Sequence, residues 1–244
     1  MAAVKAVIFD FIGTLVDVVG YSLDDSEEQM FHSLVTSGFD FSREDFFEAY
    51  GEAHEKYRDL RYGKLVEVTN AVWISDALRR LGYVTTPDDA RVRTAVNVFF
   101  EDYLRALQLR PQAKRVVQQL SATYRLGLVS NYTYAPLIYA GLRKVGLNEF
   151  FRVVAVSEAV GWRKPSTKIF QAALRKLGLK AGATLFVGDT PLEDIAGAQK
   201  VGMKTVFIPS QFNSLADMRN ASVQPDFVIA QLTDLFDILE TPGA

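Results

Sequence analysis

Val4-Lys5-Ala6-Val7-Ile8-Phe9-Asp10-Phe11-Ile12-Gly13-Thr14-Leu15 is the stretch whose reading decides the fold of this chain. Val4 to Phe9 is an apolar run, broken once by Lys5, of the length expected for a buried strand. Asp10 ends the run, and Gly13 marks the loop that follows. A carboxylate placed where a strand breaks into a glycine-containing loop is a candidate functional group, although strand-end aspartates also serve turns and caps. Three later stretches add weight: Leu128-Val129-Ser130-Asn131, Arg163-Lys164-Pro165 and Val187-Gly188-Asp189-Thr190-Pro191-Leu192-Glu193-Asp194 sit at the ends of apolar runs or at helix starts.

Outward from the first stretch, residues 22–108 carry helical patterning with almost no strand signal. Apolar residues recur at i, i+3, i+4 spacing over 24–36, 42–59, 68–81 and 87–107, and Gly38, Gly63 and Gly82 lie near the breaks. Ser42-Arg43-Glu44-Asp45 reads as a helix N-terminus, with a capping serine and acidic residues in the first turn. From Pro111 the pattern changes to helix alternating with short apolar strand. Helices are predicted over 112–124, 135–145, 166–177 and 192–201, and strands over 126–130, 153–157, 184–187 and 205–208. A further strand over 226–229 and a helix over 232–239 complete the chain. Such alternation predicts an α/β fold whose parallel strands are joined by right-handed crossovers, a Rossmann-like core. The first strand belongs to that sheet, so the helical segment is an insertion. The expected division is a core of residues 1–17 and 109–244 and an α-helical, four-helix domain of residues 18–108.

Composition bounds the function. The chain has 244 residues, 49% hydrophobic and 23% charged, which is ordinary globular usage without a low-complexity run. Its 27 basic and 29 acidic residues give a net charge of −2, so no general attraction to nucleic acid or to an anionic membrane is expected. Without cysteine there is no thiolate metal site, thiol nucleophile or disulfide framework. No apolar stretch reaches the roughly 20 residues of a membrane span, and the N-terminus lacks the pattern of a secretory leader. The expectation is a cytoplasmic protein, and nothing in the sequence specifies an oligomeric state.

In an open parallel sheet, ligands bind beyond the carboxyl ends of the strands, where strand order reverses. Asp10, Ser130 and Asp189 all fall at predicted strand ends, so three separated polar groups would converge on one pocket. Taken in order, the four stretches resemble the four motifs of the haloacid dehalogenase (HAD) superfamily, and the resemblance covers nearly the whole chain. The position of the helical insertion, after the first motif and before the second, is similar to the cap domain of one subfamily.

The resemblance implies a hydrolase in which Asp10 attacks phosphorus to form an aspartyl-phosphate. Mg²⁺ would be held by Asp10, the backbone carbonyl of Ile12 and Asp189, with Asp194 acting from behind to orient a metal-bound water. Ser130 would bond a phosphoryl oxygen with help from the Asn131 amide, and Lys164 would neutralise charge on nucleophile and substrate. Thr14 joins the substrate-binding candidates on the same footing. Ile12 departs from the pattern, because most phosphatases of this superfamily carry a second aspartate there as general acid/base. The substrate expected is a small phosphorylated metabolite, and His54 or Glu55 of the insertion are candidates to replace the missing acid.

Around Gly63, Arg58, Arg61 and Lys64 read as a solvated rim and as candidates for reading the leaving group. Phe39, Phe41, Phe46, Phe47 and Trp73 read as core of the insertion or as its face toward the sheet. The two histidines, His32 and His54, read as solvated or partly packed helix positions, which argues against a histidine zinc site. Three other readings remain open at this point. Metal-independent 2-haloacid dehalogenases also lack the second aspartate, but their fourth motif is rich in Ser and Asn where this chain has Gly188-Asp189. Phosphonoacetaldehyde hydrolases carry a small apolar residue at the Ile12 position and need a cap lysine, for which Lys56 and Lys64 are the candidates. A non-catalytic protein that binds a phosphorylated ligand or partner would explain Ile12 but not the retention of Asp10, Lys164, Asp189 and Asp194.

Overall fold

Ala6–Phe9 (β1) is buried at every position and pairs on both sides, as a short apolar run with no polar face must. A computed structural model describes residues 3–240 of the chain. Arg125–Ser130 (β4) and Thr184–Gly188 (β6) flank β1, and all three run parallel. Phe151–Val156 (β5) extends the sheet beyond β4, while Lys204–Phe207 (β7) and Phe227–Val228 (β8) extend it beyond β6. Among the described residues the order is β5-β4-β1-β6-β7-β8. Counted within the sheet this is 3-2-1-4-5-6, whose reversal point lies between β1 and β6.

Helices of the core connect these strands, Ala113–Ser121 (α5), Ala135–Lys144 (α6), the short Ser157–Val160 (α7), Thr167–Leu177 (α8), Gly197–Lys200 (α9) and Leu215–Asn220 (α10), and Leu235–Glu240 (α11) follows the last strand. On one side of the sheet, Ile169, Phe170, Ala173 and Leu177 of α8 meet Ile8, Val129, Ala155 and Phe186 from four adjacent strands. Phe170 and Phe186 stack edge to face with ring centres 5.2 Å apart.

Two compact units divide the chain, one up to Val18 and from Leu107 onward, the other Val19–Ala106. The expected insertion, 18–108, differs from this unit by one residue at its start and two at its end. Val16–Val18 (β2) and Leu107–Leu109 (β3) pair as an antiparallel ribbon, and the ribbon groups with the sheet-bearing unit. Three-residue strands are too short for periodicity to reveal, so the sequence pattern places Leu107 at the end of a helix where the structure has it in β3.

Leu23–Thr36 (α1), Arg43–Lys56 (α2), Asn70–Arg80 (α3) and Ala90–Ala106 (α4) make up the second unit, with α1 packed along α4 and α2 along α3. Ser22 and Ser42 cap the first two, their hydroxyls accepting the backbone N–H of Asp25 and of Asp45. Phe31, Phe39, Phe41, Phe46 and Tyr83 form one aromatic cluster, with Phe41 and Phe46 stacked at 5.3 Å. Phe39 and Phe46 are core of the unit, and the other rings are half-buried. The helix predicted over 42–59 ends at Lys56, and Asp59–Gly63 follows as a separate π-helical turn. No helix among the described residues is long and apolar enough to cross a membrane.

Candidate active site

Each central strand delivers one polar residue at its carboxyl end. Asp10 follows β1 and donates its backbone N–H to Val187 of β6; Ser130 ends β4; Asp189 follows β6. Asp10 is 6% exposed, and Asp189, Asp194 and Lys164 are 2% or less. The carboxylates of Asp10, Asp189 and Asp194 offer oxygens that all lie within 4.8 Å of one another.

Lys164 is the positive centre of this group. Its Nζ donates to Asp10 Oδ1 at 2.6 Å, to Asp194 Oδ1 at 2.6 Å and to the Val129 carbonyl at 3.1 Å, using all three of its protons. Burial works against the ammonium, but the Asp10 and Asp194 carboxylates outweigh it and hold Lys164 above the usual lysine range. With all three carboxyls ionised, one ammonium would leave the site with excess negative charge. Burial pushes the Asp10 carboxyl up to about 8; Lys164 opposes the shift, and the charges of Asp194 and Asp189 add to it. Asp189 is raised in the same direction by burial and by Asp194. A buried set of hard oxygens with surplus negative charge suits Mg²⁺, so the residues present fit that ion.

Asp194 is held from both ends. Lys164 engages Oδ1, while Oδ2 accepts the backbone N–H of Asp189 at 3.1 Å and of Thr190 at 3.0 Å. Local folding makes this possible: Pro191–Ala196 is a π-helical turn, not the regular helix expected from the sequence, and the wide turn lets the side chain fold back onto residues 189 and 190. Gly188 completes it, because a Cβ there would sit 2.4 Å from Asp194 Oδ2.

Asn131 plays a part the sequence did not suggest. Its side-chain amide pairs with the backbone of Lys164, accepting the N–H at 2.7 Å and donating to the carbonyl at 3.0 Å. It also donates to Glu193 Oε2 at 2.9 Å, and Glu193 Oε1 accepts from Arg163 at 3.2 Å. The Asn131 side chain thus fixes the backbone that carries Lys164. Lys164 and Pro165 precede the helix rather than open it, since Ser166 is the cap of α8.

The remaining candidates are placed as follows. Thr14 is fully buried, and its hydroxyl has no hydrogen-bond partner among the described residues. Ile12 is half-buried, its backbone bridged to Val16. Arg58 is exposed and pairs with Glu55. Arg61 departs from the expected solvated rim: it is buried, pairs with Glu67 at 3.0 Å and lies over the Trp73 ring. Its guanidinium covers an aromatic face while answering a carboxylate, two contacts that offset the cost of burial. Lys56 is paired with Asp76 at 2.9 Å, which raises it above the ordinary lysine value, and Lys64 is exposed near Asp59. An imine-forming lysine must lose its proton, and Lys56 is held in the opposite state.

Sequence reading missed Ser210, Asn213 and Arg110. Ser210 Oγ donates to Asp189 Oδ2 at 2.5 Å, Asn213 Nδ2 approaches the same oxygen at 3.4 Å, and Arg110 donates to the Gly13 carbonyl at 2.6 Å. One signal was available, since Ser210 lies just past β7, at the same carboxyl edge of the sheet as Asp10 and Asp189.

The chain resembles known proteins in sequence and in fold. A glyceraldehyde 3-phosphate phosphatase of Methanopyrus kandleri is 28% identical over 97% of this chain and 97% of its own length. One from Pyrococcus abyssi is 31% identical over 84% of this chain and 81% of its own. A ribulose-1,5-bisphosphate 5-phosphatase of Halopiger xanaduensis is 28% identical over 83% and 85%. Among solved structures, a 2-haloacid dehalogenase from Pseudomonas syringae matches with a TM-score of 0.70 at 24% identity, covering 97% of this chain and 98% of that one. A HAD phosphatase from Thermococcus onnurineus matches with a TM-score of 0.57 at 24% identity, over 97% and 98%. These two likenesses concern the fold. Residues 4–202 match the model of the haloacid dehalogenase-like hydrolases, and the chain, a hydrolase with a Rossmann-like core and an inserted helical unit, belongs to that family.

Proposed function

We propose that the chain is a Mg²⁺-dependent phosphatase acting on a small phosphorylated metabolite through an aspartyl-phosphate on Asp10. The observation that carries the reading is the buried Asp10 carboxylate, held by Lys164 at 2.6 Å and grouped with Asp189 and Asp194 at the reversal point of the sheet. The phosphatase activities named for the relatives support a phosphate ester, and they direct the choice of substrate toward phosphorylated sugars. A cytoplasmic location is part of the same proposal and accords with the cysteine-free sequence.

In this reading Asp10 attacks phosphorus, the P–O ester bond breaks, and the leaving oxygen departs with a proton from solvent or from another acid. Water then attacks the acyl phosphate, releasing inorganic phosphate and restoring the carboxylate. Asp10, Asp189 and the backbone carbonyl of Ile12 would hold Mg²⁺, with Asp194 behind them. When bound, the ion would offset the repulsion between the carboxylate and a phosphate dianion. Lys164 fixes the rotation of the Asp10 carboxylate, Asn131 fixes Lys164, and Ser130 offers a hydroxyl at the adjacent strand end.

Ile12 supplies no proton. General acids and bases contribute about 10²–10⁴-fold. Turnover should therefore be slow on alkyl phosphates and relatively better on aryl or acyl phosphates, whose leaving groups need little protonation. Ile12→Asp should raise alkyl phosphate turnover more than aryl turnover. The test is phosphate release from an aryl and an alkyl ester, with Mg²⁺ and with chelator. Release that survives chelation, or no release at all, rejects the proposal; equal rates normalised to intrinsic reactivity reject the role given to Ile12.

A further inference from the structure

Asp189 is held by a segment that lies outside the acidic trio. Beyond β7 the chain runs Ile208-Pro209-Ser210-Gln211-Phe212-Asn213. The Ser210 hydroxyl, 2.5 Å from Asp189 Oδ2, also accepts the backbone N–H of Phe212 at 3.0 Å and of Asn213 at 3.1 Å. A serine hydroxyl has one proton and two acceptor lone pairs. With both lone pairs occupied, the proton is directed at Asp189. Gly13, with φ +92°, also stands against that oxygen, where a Cβ would come within 2.4 Å of Oδ2. Oδ2 is therefore committed to the protein. Oδ1 has one long contact, to the Thr190 hydroxyl at 3.4 Å.

The segment is itself anchored twice. Gln211 accepts the Val18 N–H at 2.9 Å and donates to the Val18 carbonyl at 3.0 Å, so its amide pairs with β2 as a neighbouring strand would. Arg110 donates to the Gly13 carbonyl at 2.6 Å and to the Pro209 carbonyl at 2.8 Å, tying together the two segments that flank Asp189. Gln211 is exposed, and its side-chain bonds to β2 are to Val18 and not to Asp10, Asp189 or Asp194.

We propose that residues 209–213 form a positioning segment for divalent cation binding: Ser210 aims the Asp189 carboxylate, and Gln211 sets that aim from outside the site by holding the segment to β2. This inference rests on the reading of the acidic trio as a cation site. Groups that orient metal ligands typically govern affinity by about 10–100-fold. A direct test is Mn²⁺ binding to the purified full chain, followed through the paramagnetic resonance signal of the free ion, alongside the melting temperature without metal. Ser210→Ala should weaken Mn²⁺ binding by about 10-fold or more, and Ser210→Thr, which keeps the hydroxyl, should bind like wild type. Gln211→Ala should weaken binding several-fold at an unchanged melting temperature, a result that a merely structural role would not produce. If Ser210→Ala does not fold, Gln211→Ala decides alone. Wild-type affinity in Ser210→Ala and Gln211→Ala overturns the inference while leaving the cation site standing. Failure of wild type to bind Mn²⁺ overturns the cation site, and the inference with it.

Discussion

Asp10→Asn is expected to abolish phosphate release while leaving the protein folded and, near pH 8 without divalent cation, at least as stable as wild type. The loss of activity should be on the order of 10⁴-fold or more, as when the nucleophile of another covalent catalyst is removed. The stability effect has the opposite sign for an electrostatic reason. Burial raises the Asp10 carboxyl from 3.8 to about 8, so between those values the folded protein binds a proton that the unfolded chain has released. Stability is then greatest at the acidic end of that window and falls as pH rises through it. Asparagine carries no charge and escapes the loss. The difference in melting temperature, variant minus wild type, should therefore grow between pH 5 and pH 8 and shrink when Mg²⁺ is added. Phosphate release by Asp10→Asn at the wild-type rate would remove Asp10 as the nucleophile. A difference that is flat with pH would remove the electrostatic account.

Lys164→Met should be the most destabilising single change at the site. Methionine fills much of the same volume, but it leaves Asp10 and Asp194 without the ammonium that now stands 2.6 Å from each, and leaves the Val129 carbonyl without its donor. Removing one partner of a buried pair costs about 3–5 kcal/mol, because the remaining charge stays buried and unanswered. For a chain of this size that corresponds to a fall in melting temperature on the order of 10 °C. The fall should be larger at pH 8 than at pH 5, where the carboxyls can take up protons instead, and Mg²⁺ should recover part of it. Activity should drop with stability, since the rotation of the Asp10 carboxylate is no longer fixed. Thermal unfolding of the variant across that pH range, with and without Mg²⁺, is the measurement. A variant as stable as wild type throughout would mean that the carboxylates do not need the lysine.

Much of this architecture was legible in the order of residues. Apolar runs ending in Asp10, Ser130 and Gly188-Asp189 mark buried parallel strands, because strands covered on both faces cannot tolerate polar residues until they emerge at their ends. The helical insertion was legible for a similar reason: its apolar positions keep helical spacing over four segments, and Ser42 carries a capping signal that the structure uses. The ribbon of β2 and β3 was not legible. Its strands have three residues each, and their pairing joins positions about ninety residues apart, between Val16 and Leu109.

Asn131, Arg61 and Ser210 show where local pattern runs out. An asparagine after a strand reads as a loop residue, and only the approach of a segment 33 positions away makes it the clasp of Lys164. Arg61 in a charged stretch reads as surface, and Trp73 and Glu67 draw it inside.

The sequence alone determined the fold class, the strand that carries Asp10, and the absence of a carboxyl at Ile12, since each depends on residue type and short-range period. Only the tertiary structure decided how close the charges of the site stand and how deeply they are buried. It gathered Asp10, Lys164, Asp189 and Asp194 from segments up to 184 positions apart, from Asp10 to Asp194, and turned Ser210 onto Asp189. Proton affinity and cation preference arise from burial and from distances between groups that are remote in sequence, and no local pattern encodes either.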